Sequence, residues 1–129
     1  MYKPAMKAGA LFAALAVILG AFGAHALAKL VPADKLSVFE TGVRYQFYHS
    51  FALLVTGMVF SSCSVKSIRL AAICFIIGIL LFCGSLYSMV FLGLIGTSLG
   101  PVGILTPVGG LFFILGWILL FSSMFKKIT

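Results

Sequence analysis

The side chains best suited to chemistry are concentrated in the decapeptide 40–49. Glu40 and Arg44 are four residues apart, a spacing that allows an ion pair along one face of a helix. Tyr45 and His49 have the same spacing on another face. Carboxylate, imidazole and phenol groups held close together could perform acid–base catalysis. Motifs of established chemistries, such as H-E-x-x-H, a P-loop or G-x-S-x-G, are absent from the sequence.

A metal site has little support in the sequence. Two histidines, His25 and His49, are joined only by Glu40 as a third ligand of ordinary type. The cysteines have no C-x-x-C spacing, and we interpret them as small packing residues: Cys63, Cys74 and Cys83. We therefore predict no metal and no cofactor.

The composition identifies the surroundings in which these groups must act. The chain has 129 residues, of which 63% are hydrophobic and 9% are charged. In a soluble domain about 45–50% of the residues are hydrophobic and about 25% are charged. A soluble globular enzyme and a disordered chain are both excluded. The net charge of +7 comes from basic residues that lie singly or in pairs between long apolar runs, as in membrane-protein loops. We therefore predict a membrane protein with lipids as partners and no nucleic-acid partner.

Four apolar stretches are each near or above the roughly 20 residues that span a hydrocarbon core. They are residues 8–28, 44–62, 68–94 and 107–125. They lack a two-residue alternation, so we predict helices and not barrel strands. The predicted fold is all-α: a polytopic membrane protein with four transmembrane helices in an antiparallel bundle, forming one domain over residues 1–129.

The connections between these stretches carry further predictions. A proline and an acid after the first stretch are typical of a helix start. One helix from there to residue 62 would be about 45 Å long, which is more than a bilayer needs. We therefore predict a short interfacial helix at 33–41, followed by a bend near Gly42. In the uncharged loop 96–106, Thr106 is predicted to cap a helix that begins at Pro107.

The basic residues predict the orientation of the chain. Four spans place both termini and the second loop on one side, which carries six basic residues: Lys3, Lys7, Lys66, Arg69, Lys126 and Lys127. The opposite side carries three basic residues and both acids: Lys29, Lys35, Arg44, Asp34 and Glu40. The positive-inside rule then predicts that both termini face the cytoplasm.

The first stretch has a competing interpretation as a signal peptide. Lys3 and Lys7 precede an apolar run, and Ala24-His25-Ala26 has the A-x-A form of a cleavage site. The stretch is longer than a usual signal-peptide core, so we predict that it is retained. Small residues at four-residue spacing predict a helix-packing face on this span: Ala16, Gly20 and Ala24, with Gly23 beside them.

Counting depth along the predicted spans places polar residues of several elements near the outer surface. Thr97 and Thr106 cap the same end. The predicted polar cluster comprises nine residues: His25, Glu40, Arg44, Tyr45, Gln46, Tyr48, His49, Ser85 and Tyr87. One interpretation is structural, with a snorkelling arginine and an aromatic belt. The other is a functional site, because ionisable residues inside a membrane are by default candidates for function.

We expect Glu40 and Arg44 to pair with each other in either case. A guanidinium group drawn into the membrane has five donors and cannot lose its proton, so it needs several acceptors. Arg44 is therefore also expected to reach a group on another element, with His25 or the outer loop as candidates. Removing one partner of such a buried pair would cost about 3–5 kcal/mol.

Several segments resemble the signatures of one membrane-protein family. These are G-A-F-G-A-H-A-L at 20–27, F-E-T-G-V-R-Y-Q-F-Y-H at 39–49, G-S-L-Y at 84–87, and T-P-V-G-G at 106–110 followed by Gly116-Trp117. The sequence resembles the small inner-membrane proteins of the YgdD type, whose eukaryotic relatives are called transmembrane protein 256. The resemblance implies a four-helix protein of the bacterial inner membrane. It implies no activity, because the function of that family is unknown.

Three classes of function remain open. The preferred one is a non-catalytic scaffold, assembly or lipid-interacting module, because the chain is small, its inner half is apolar and catalytic motifs are absent. The second is an enzyme or binding protein for a lipid or quinone headgroup at the outer surface, which would use the polar cluster. The third is a small-molecule or ion pathway in an oligomer, which would need polar residues at both depths. A second copy of the chain or another membrane protein is considered as a partner besides lipids.

Overall fold

The protein is described here by a computed structural model, which covers residues 1–96, 100 and 102–125. Four long helices follow one another: α1 (Lys3–His25), α2 (Ala33–Val59), α3 (Val65–Leu94) and α4 (Val102–Ser123). Single turns of 3-10 helix follow α1 at Leu27–Lys29 and α2 at Phe60–Ser62. The predicted all-α fold is confirmed. The loop residue Thr97 and the basic residues Lys126 and Lys127 lie outside the described residues.

α1 lies antiparallel to α2 and packs closely against it. Small residues on α1 let the two backbones approach each other. A methyl group on Gly9 would lie 2.8 Å from the backbone oxygen of Ser50. A methyl group on Gly23 would lie 2.8 Å from the ring of Phe39. Among the described residues, α1 makes extensive contact with α2 and with no other of the four helices.

Three of the four residues predicted to form the packing face of α1 lie toward α2. Ala16 and Gly23 are buried, and a methyl group on Gly20 would lie 3.4 Å from Val43. Ala24 is exposed instead. Small residues that face α2 follow spacings of seven, four and three from Gly9, which keep one face at 3.5 residues per turn. A strict four-residue repeat is longer than 3.5 residues per turn, so by Ala24 it has rotated away from the face that contacts α2.

α2 is a single uninterrupted helix, so the separate interfacial helix predicted at 33–41 is wrong. The helix continues through Gly42, which is buried under the ring of Tyr87 on α3. A methyl group at Gly42 would lie 2.7 Å from Cε1 of Tyr87. The glycine therefore permits the close approach of α3 and does not end a helix.

α3 and α4 pack antiparallel through contacts between glycine and aromatic residues. Gly78 on α3 lies against the ring of Phe113 on α4. One turn further along the pair, Gly116 on α4 faces Phe75, and a methyl group there would lie 2.7 Å from Cε1. Aromatic rings therefore fill the space that a β-carbon would otherwise occupy on the facing helix.

A π-helical turn, Ile79–Cys83, interrupts the α-helical hydrogen bonding of α3. At this turn the backbone of α3 touches α4 directly, because Gly109 packs on the backbone of Phe82. A methyl group at Gly109 would lie 2.8 Å from Cα of Phe82. The turn and the glycine together set the spacing of α3 and α4.

α4 begins at Val102 and contains Pro107, so the predicted helix start at Pro107 is wrong. Thr106 is not an N-cap, because it lies inside the helix. Its hydroxyl is engaged by Ser85 of α3 at 2.5 Å. That contact between helices occupies the side chain that was expected to cap a backbone N–H.

Among the described residues, three helical segments are long and apolar enough to cross a membrane: Lys3–Lys29, Val65–Leu94 and Val102–Ser123. α1 and α4 expose many large apolar side chains, which suits contact with lipid. α2 is less apolar, because it carries four charged residues in its first half: Asp34, Lys35, Glu40 and Arg44.

Candidate functional site

The side chain of Gln46 links three helices. It lies on α2, where α1 and α3 both contact it, and is only 3% exposed. Its Nε2 donates a hydrogen bond to the backbone oxygen of Phe12 on α1 at 2.8 Å. Its Oε1 accepts one from the hydroxyl of Tyr87 on α3 at 2.8 Å. Because both ends of the amide have partners, α1, α2 and α3 are held at a common level.

His49 connects α2 to α4 by a hydrogen bond, and its contacts fix the tautomer of the ring. Its Nε2 lies 3.1 Å from the indole nitrogen of Trp117, and its Nδ1 lies 2.7 Å from the backbone oxygen of Tyr45. An indole can only donate, so Nε2 is the acceptor and Nδ1–H donates to Tyr45. The imidazole also stacks on Phe113, with ring centroids 3.5 Å apart and planes at 7°. These contacts favour the neutral ring.

A pocket of about 620 Å³ lies between α2 and α4, beside the His49 ring. We call it the aromatic pocket, and its principal walls are Tyr45, Tyr48, His49, Phe82, Phe113 and Trp117. Tyr48 is 55% exposed and Trp117 46% exposed, so the pocket opens at the side of the helix pair. Ligand pockets in proteins commonly have volumes of about 300–1,000 Å³. The aromatic pocket is therefore large enough for part of a lipid.

The π-helical turn of α3 positions one wall of the aromatic pocket. The ring of Phe82 packs on Tyr45, with ring centroids 4.7 Å apart. Ser85 donates a hydrogen bond to the backbone oxygen of Phe82 at 2.8 Å, so its oxygen accepts the proton of Thr106. This pair ties α4 to α3 beside the pocket. π-turns inside α-helices frequently occur at functional sites.

The buried polar groups around the aromatic pocket have hydrogen-bond partners within the protein. Every buried side-chain nitrogen or oxygen in the described part of the chain has a hydrogen-bond partner. Within residues 1–96, 100 and 102–125, no group of three His, Cys, Asp or Glu side chains could hold a metal ion. The three cysteines are buried and free. The arrangement is suited to holding an apolar ligand and contains no nucleophile paired with a general base.

Comparison with known proteins identifies the family. A family described as "Protein of unknown function (DUF423)" matches residues 19–110. The chain belongs to this family. It is 42% identical to a UPF0382 membrane protein of Staphylococcus aureus strain bovine RF122, over 92% of each chain. It is 40% identical to the UPF0382 membrane protein YwdK of Bacillus subtilis, over 92% of this chain and 93% of YwdK.

A UPF0382 membrane protein of Haemophilus influenzae is 39% identical, over 86% of this chain and 85% of the relative. No significantly similar solved structure was found. This DUF423 protein is therefore an integral membrane protein of unknown molecular activity. The predicted membership of a family of small membrane proteins without a known function is confirmed.

The structure brings six of the nine predicted cluster residues of this DUF423 protein into or beside the site: Tyr45, Gln46, Tyr48, His49, Ser85 and Tyr87. The other three, His25, Glu40 and Arg44, are exposed and lie away from it. The nine residues were predicted to lie at one depth in the membrane. That prediction is wrong, because α2 begins at Ala33 and not at the second apolar stretch. Gln46 therefore meets Phe12, thirteen residues before His25, which is about 20 Å along α1.

The predicted ion pair between Glu40 and Arg44 is absent from the described part of the chain. Arg44 instead donates a hydrogen bond from Nη2 to the hydroxyl of Thr41, at 3.3 Å. Side chains of a helix lean toward its N-terminus, so Arg44 extends toward the Ala33 end of α2. The guanidinium group can therefore reach water by snorkelling and needs no buried acceptors.

We expect Glu40→Gln to change the free energy of unfolding by no more than about 1 kcal/mol, the range of exposed charge contacts. Arg44→Gln is expected to fall in the same range. Unfolding in mixed detergent micelles, compared with the unsubstituted chain, measures both. A loss of about 3 kcal/mol in either variant would instead indicate that Glu40 and Arg44 form a buried ion pair.

The residues that complete the site on α4 were not selected from the sequence. Trp117, Phe113 and Thr106 supply a hydrogen-bond donor, a stacking partner and a link to α3. The chain contains a single tryptophan, and an indole N–H in a membrane span needs an acceptor. That requirement, combined with a histidine on another span, is the signal that could have paired Trp117 with His49.

Proposed function

We propose that this DUF423 protein crosses the bacterial inner membrane four times, with α2 as the fourth span. α2 has 27 residues, about 40 Å at 1.5 Å per residue, and lies antiparallel to α1. Its charged residues end at Arg44, and residues 45–59 carry no charge. Apart from the two exposed tyrosines, the polar residues of this part of α2 are buried: Gln46, His49, Ser50 and Thr56. Their burial supports a span of lower hydropathy than its neighbours.

Both termini are proposed to face the cytoplasm, because the basic residues Lys3, Lys7, Lys66 and Arg69 lie at one end of the bundle. In a background with the three cysteines replaced by serine, an impermeant maleimide added to intact cells should label Lys35→Cys. Lys66→Cys should be labelled only after the inner membrane is opened. Labelling of Lys66→Cys in intact cells would reverse the orientation.

The function we propose is a non-catalytic module that binds a bilayer lipid. The observation that carries this proposal is the aromatic pocket, which opens sideways. His49 lies ten residues before the end of α2, about 15 Å from it, so the pocket faces the hydrocarbon layer. The medium at that depth is lipid acyl chain, and the walls are aromatic or aliphatic. The occupant is therefore a hydrocarbon chain packed against Phe82, Phe113 and Trp117.

A non-catalytic role is supported by the pairing of the polar groups. His49 uses both ring nitrogens in contacts within the protein, and Gln46 uses both ends of its amide. Neither side chain has a free position with which to accept a proton from a bound lipid. The hydroxyls of Tyr45 and Tyr48 can orient a ligand by hydrogen bonding.

Trp117 provides a direct test, because it is the only tryptophan in the chain and lines the pocket. Purified protein in detergent is titrated with a phosphatidylcholine that carries bromine on one acyl chain. Bromine quenches indole fluorescence on contact, so pocket occupancy should give saturable quenching. Gly110→Leu places a side chain in the pocket and should raise the half-saturating lipid concentration about tenfold, equivalent to about 1.4 kcal/mol.

Gly103→Leu is the matched control, since a methyl group at Gly103 meets nothing within 4 Å. It should titrate like the unsubstituted chain. Linear quenching that does not saturate, or equal curves for the two leucine variants, would contradict lipid binding in the pocket. A soluble quinone that quenches Trp117 at far lower concentration than the brominated lipid would instead identify a planar ring as the occupant.

A further inference from the structure

One end of the helix bundle carries basic side chains and no acid. We call it the basic end: Lys3 and Lys7 on α1, with Lys66 and Arg69 on α3, all exposed. The chain has two acidic residues, Asp34 and Glu40, and both lie in the first turns of α2 at the opposite end. The four cations of the basic end therefore have no carboxylate side chain of this protein within reach.

Arg69 is held in place by aromatic rings and not by an acid. Its guanidinium carbon lies 5.7 Å from the ring centroids of both Tyr2 and Phe60. These two rings stack on each other at 4.9 Å, and the Tyr2 N–H donates to the backbone oxygen of Gly57 at 2.9 Å. A guanidinium group above an aromatic face keeps its N–H edges available for an oxyanion.

The four cations of the basic end form two pairs of like charge. Lys3 and Lys7 are four residues apart on α1, and Lys66 and Arg69 are three apart on α3. Like charges at these spacings are unfavourable on a helix. Ser64, which precedes α3, makes no capping hydrogen bond with its side chain, so the positive end of the helix dipole adds to the same field. Binding of an anion from outside the chain would offset both the repulsion between the cations and the positive end of the helix dipole.

We propose that the basic end binds the phosphate of an anionic phospholipid headgroup, with Arg69 as its bidentate donor. The lipid source follows from the neighbouring surface, because Val65 and Leu70 are exposed apolar residues beside Lys66 and Arg69. Acyl chains can pack on them while the headgroup meets the cations. The site shares no residue with the aromatic pocket, so either one can fail without the other.

The test uses the full chain purified in a non-ionic detergent. It is titrated with phosphatidylglycerol or phosphatidylcholine of equal chain length, and bound lipid is counted by native mass spectrometry. The unsubstituted protein should prefer phosphatidylglycerol by at least about tenfold, and that preference should shrink as salt is added. Arg69→Gln should reduce the affinity for phosphatidylglycerol about fivefold, the effect of one basic residue at an anionic surface.

Two further variants distinguish a specific binding site from a general effect of the protein's net charge. Lys29→Gln removes the same charge at the opposite end and should leave the preference unchanged. Tyr2→Leu keeps every charge but removes a ring beneath Arg69, and it should lower the affinity for phosphatidylglycerol. Equal losses for Lys29→Gln and Arg69→Gln would overturn the proposal. Inorganic phosphate that binds in an Arg69-dependent way, without any preference between the two lipids, would overturn the lipid as the ligand.

Discussion

Gly109→Ala is expected to destabilise the protein by about 1–3 kcal/mol, the usual range for an added methyl group in a closely packed interior. The new methyl group would lie 2.8 Å from Cα of Phe82 and closer still to its backbone nitrogen. Backbone atoms cannot rotate away as a flexible side chain can, so α4 must move off the π-helical turn. The Ser85–Thr106 contact and the wall formed by Phe82 would be disturbed together.

Gly110→Ala is the matched control, because it is the same substitution at the next residue of the same helix. A methyl group at Gly110 meets the Phe82 ring at 3.8 Å, which is ordinary contact. In a helix interior, replacing glycine by alanine otherwise gains about 0.5–1 kcal/mol. The two variants should therefore change stability in opposite directions in a thermal unfolding measurement in detergent. Equal melting temperatures would mean that Phe82 and Gly109 are not in backbone contact.

Gly109→Ala should also affect the aromatic pocket, whereas Gly110→Ala should leave it nearly intact. Displacement of α4 would separate Trp117 from His49, because their hydrogen bond joins α4 to α2. Tryptophan emission is sensitive to the loss of an indole hydrogen bond. A red-shifted or broadened emission in the Gly109 variant alone would connect the π-turn to the pocket. Unchanged emission with lowered stability would confine the effect to the α3–α4 contact.

Long apolar runs allowed three of the helices to be predicted, but α2 was predicted only in part. The runs 8–28, 68–94 and 107–125 are each long enough to span a membrane. In α2 the charged residues before Tyr45 suggested an interface and a bend at Gly42. The helix continues there because Tyr87 packs on Gly42, a contact between residues 45 positions apart that no local pattern contains.

The candidate site was predictable in its residue types and not in its geometry. The decapeptide drew attention to Gln46 and His49, since polar groups on several faces of one helix need partners from other helices. Which partners they have depends on the level at which the helices meet, and that level is set by glycine contacts. Gly9 against Ser50 fixes the level of α1, so Gln46 meets the backbone of Phe12 and not His25. The sequence marks the small residues but not their register.

Gln46→Leu is the second variant with a large expected effect, a loss of about 1–3 kcal/mol. Leucine fills a similar volume but ends both hydrogen bonds between helices. The hydroxyl of Tyr87 would be left without its acceptor in an apolar interior, where water cannot replace it. Hydrogen bonds between membrane helices average about 0.6 kcal/mol, with a maximum near 1.7. Two lost bonds and one unpaired hydroxyl account for the expected range.

A double-mutant cycle with Tyr87→Phe separates this hydrogen bond from the volume change. If Gln46 and Tyr87 interact, the double variant Gln46→Leu/Tyr87→Phe should lose less stability than the sum of the single variants, because the second change removes the unpaired hydroxyl. Tyr48→Phe removes a hydroxyl that has no hydrogen-bond partner among the described residues, so it should cost under about 0.5 kcal/mol. Additive single effects, or equal losses for the two tyrosine variants, would contradict a hydrogen bond from Tyr87 to Gln46. Because Gln46 forms hydrogen bonds from α2 to both α1 and α3, the coupling energy measures how firmly α1 is joined to the helices that form the aromatic pocket.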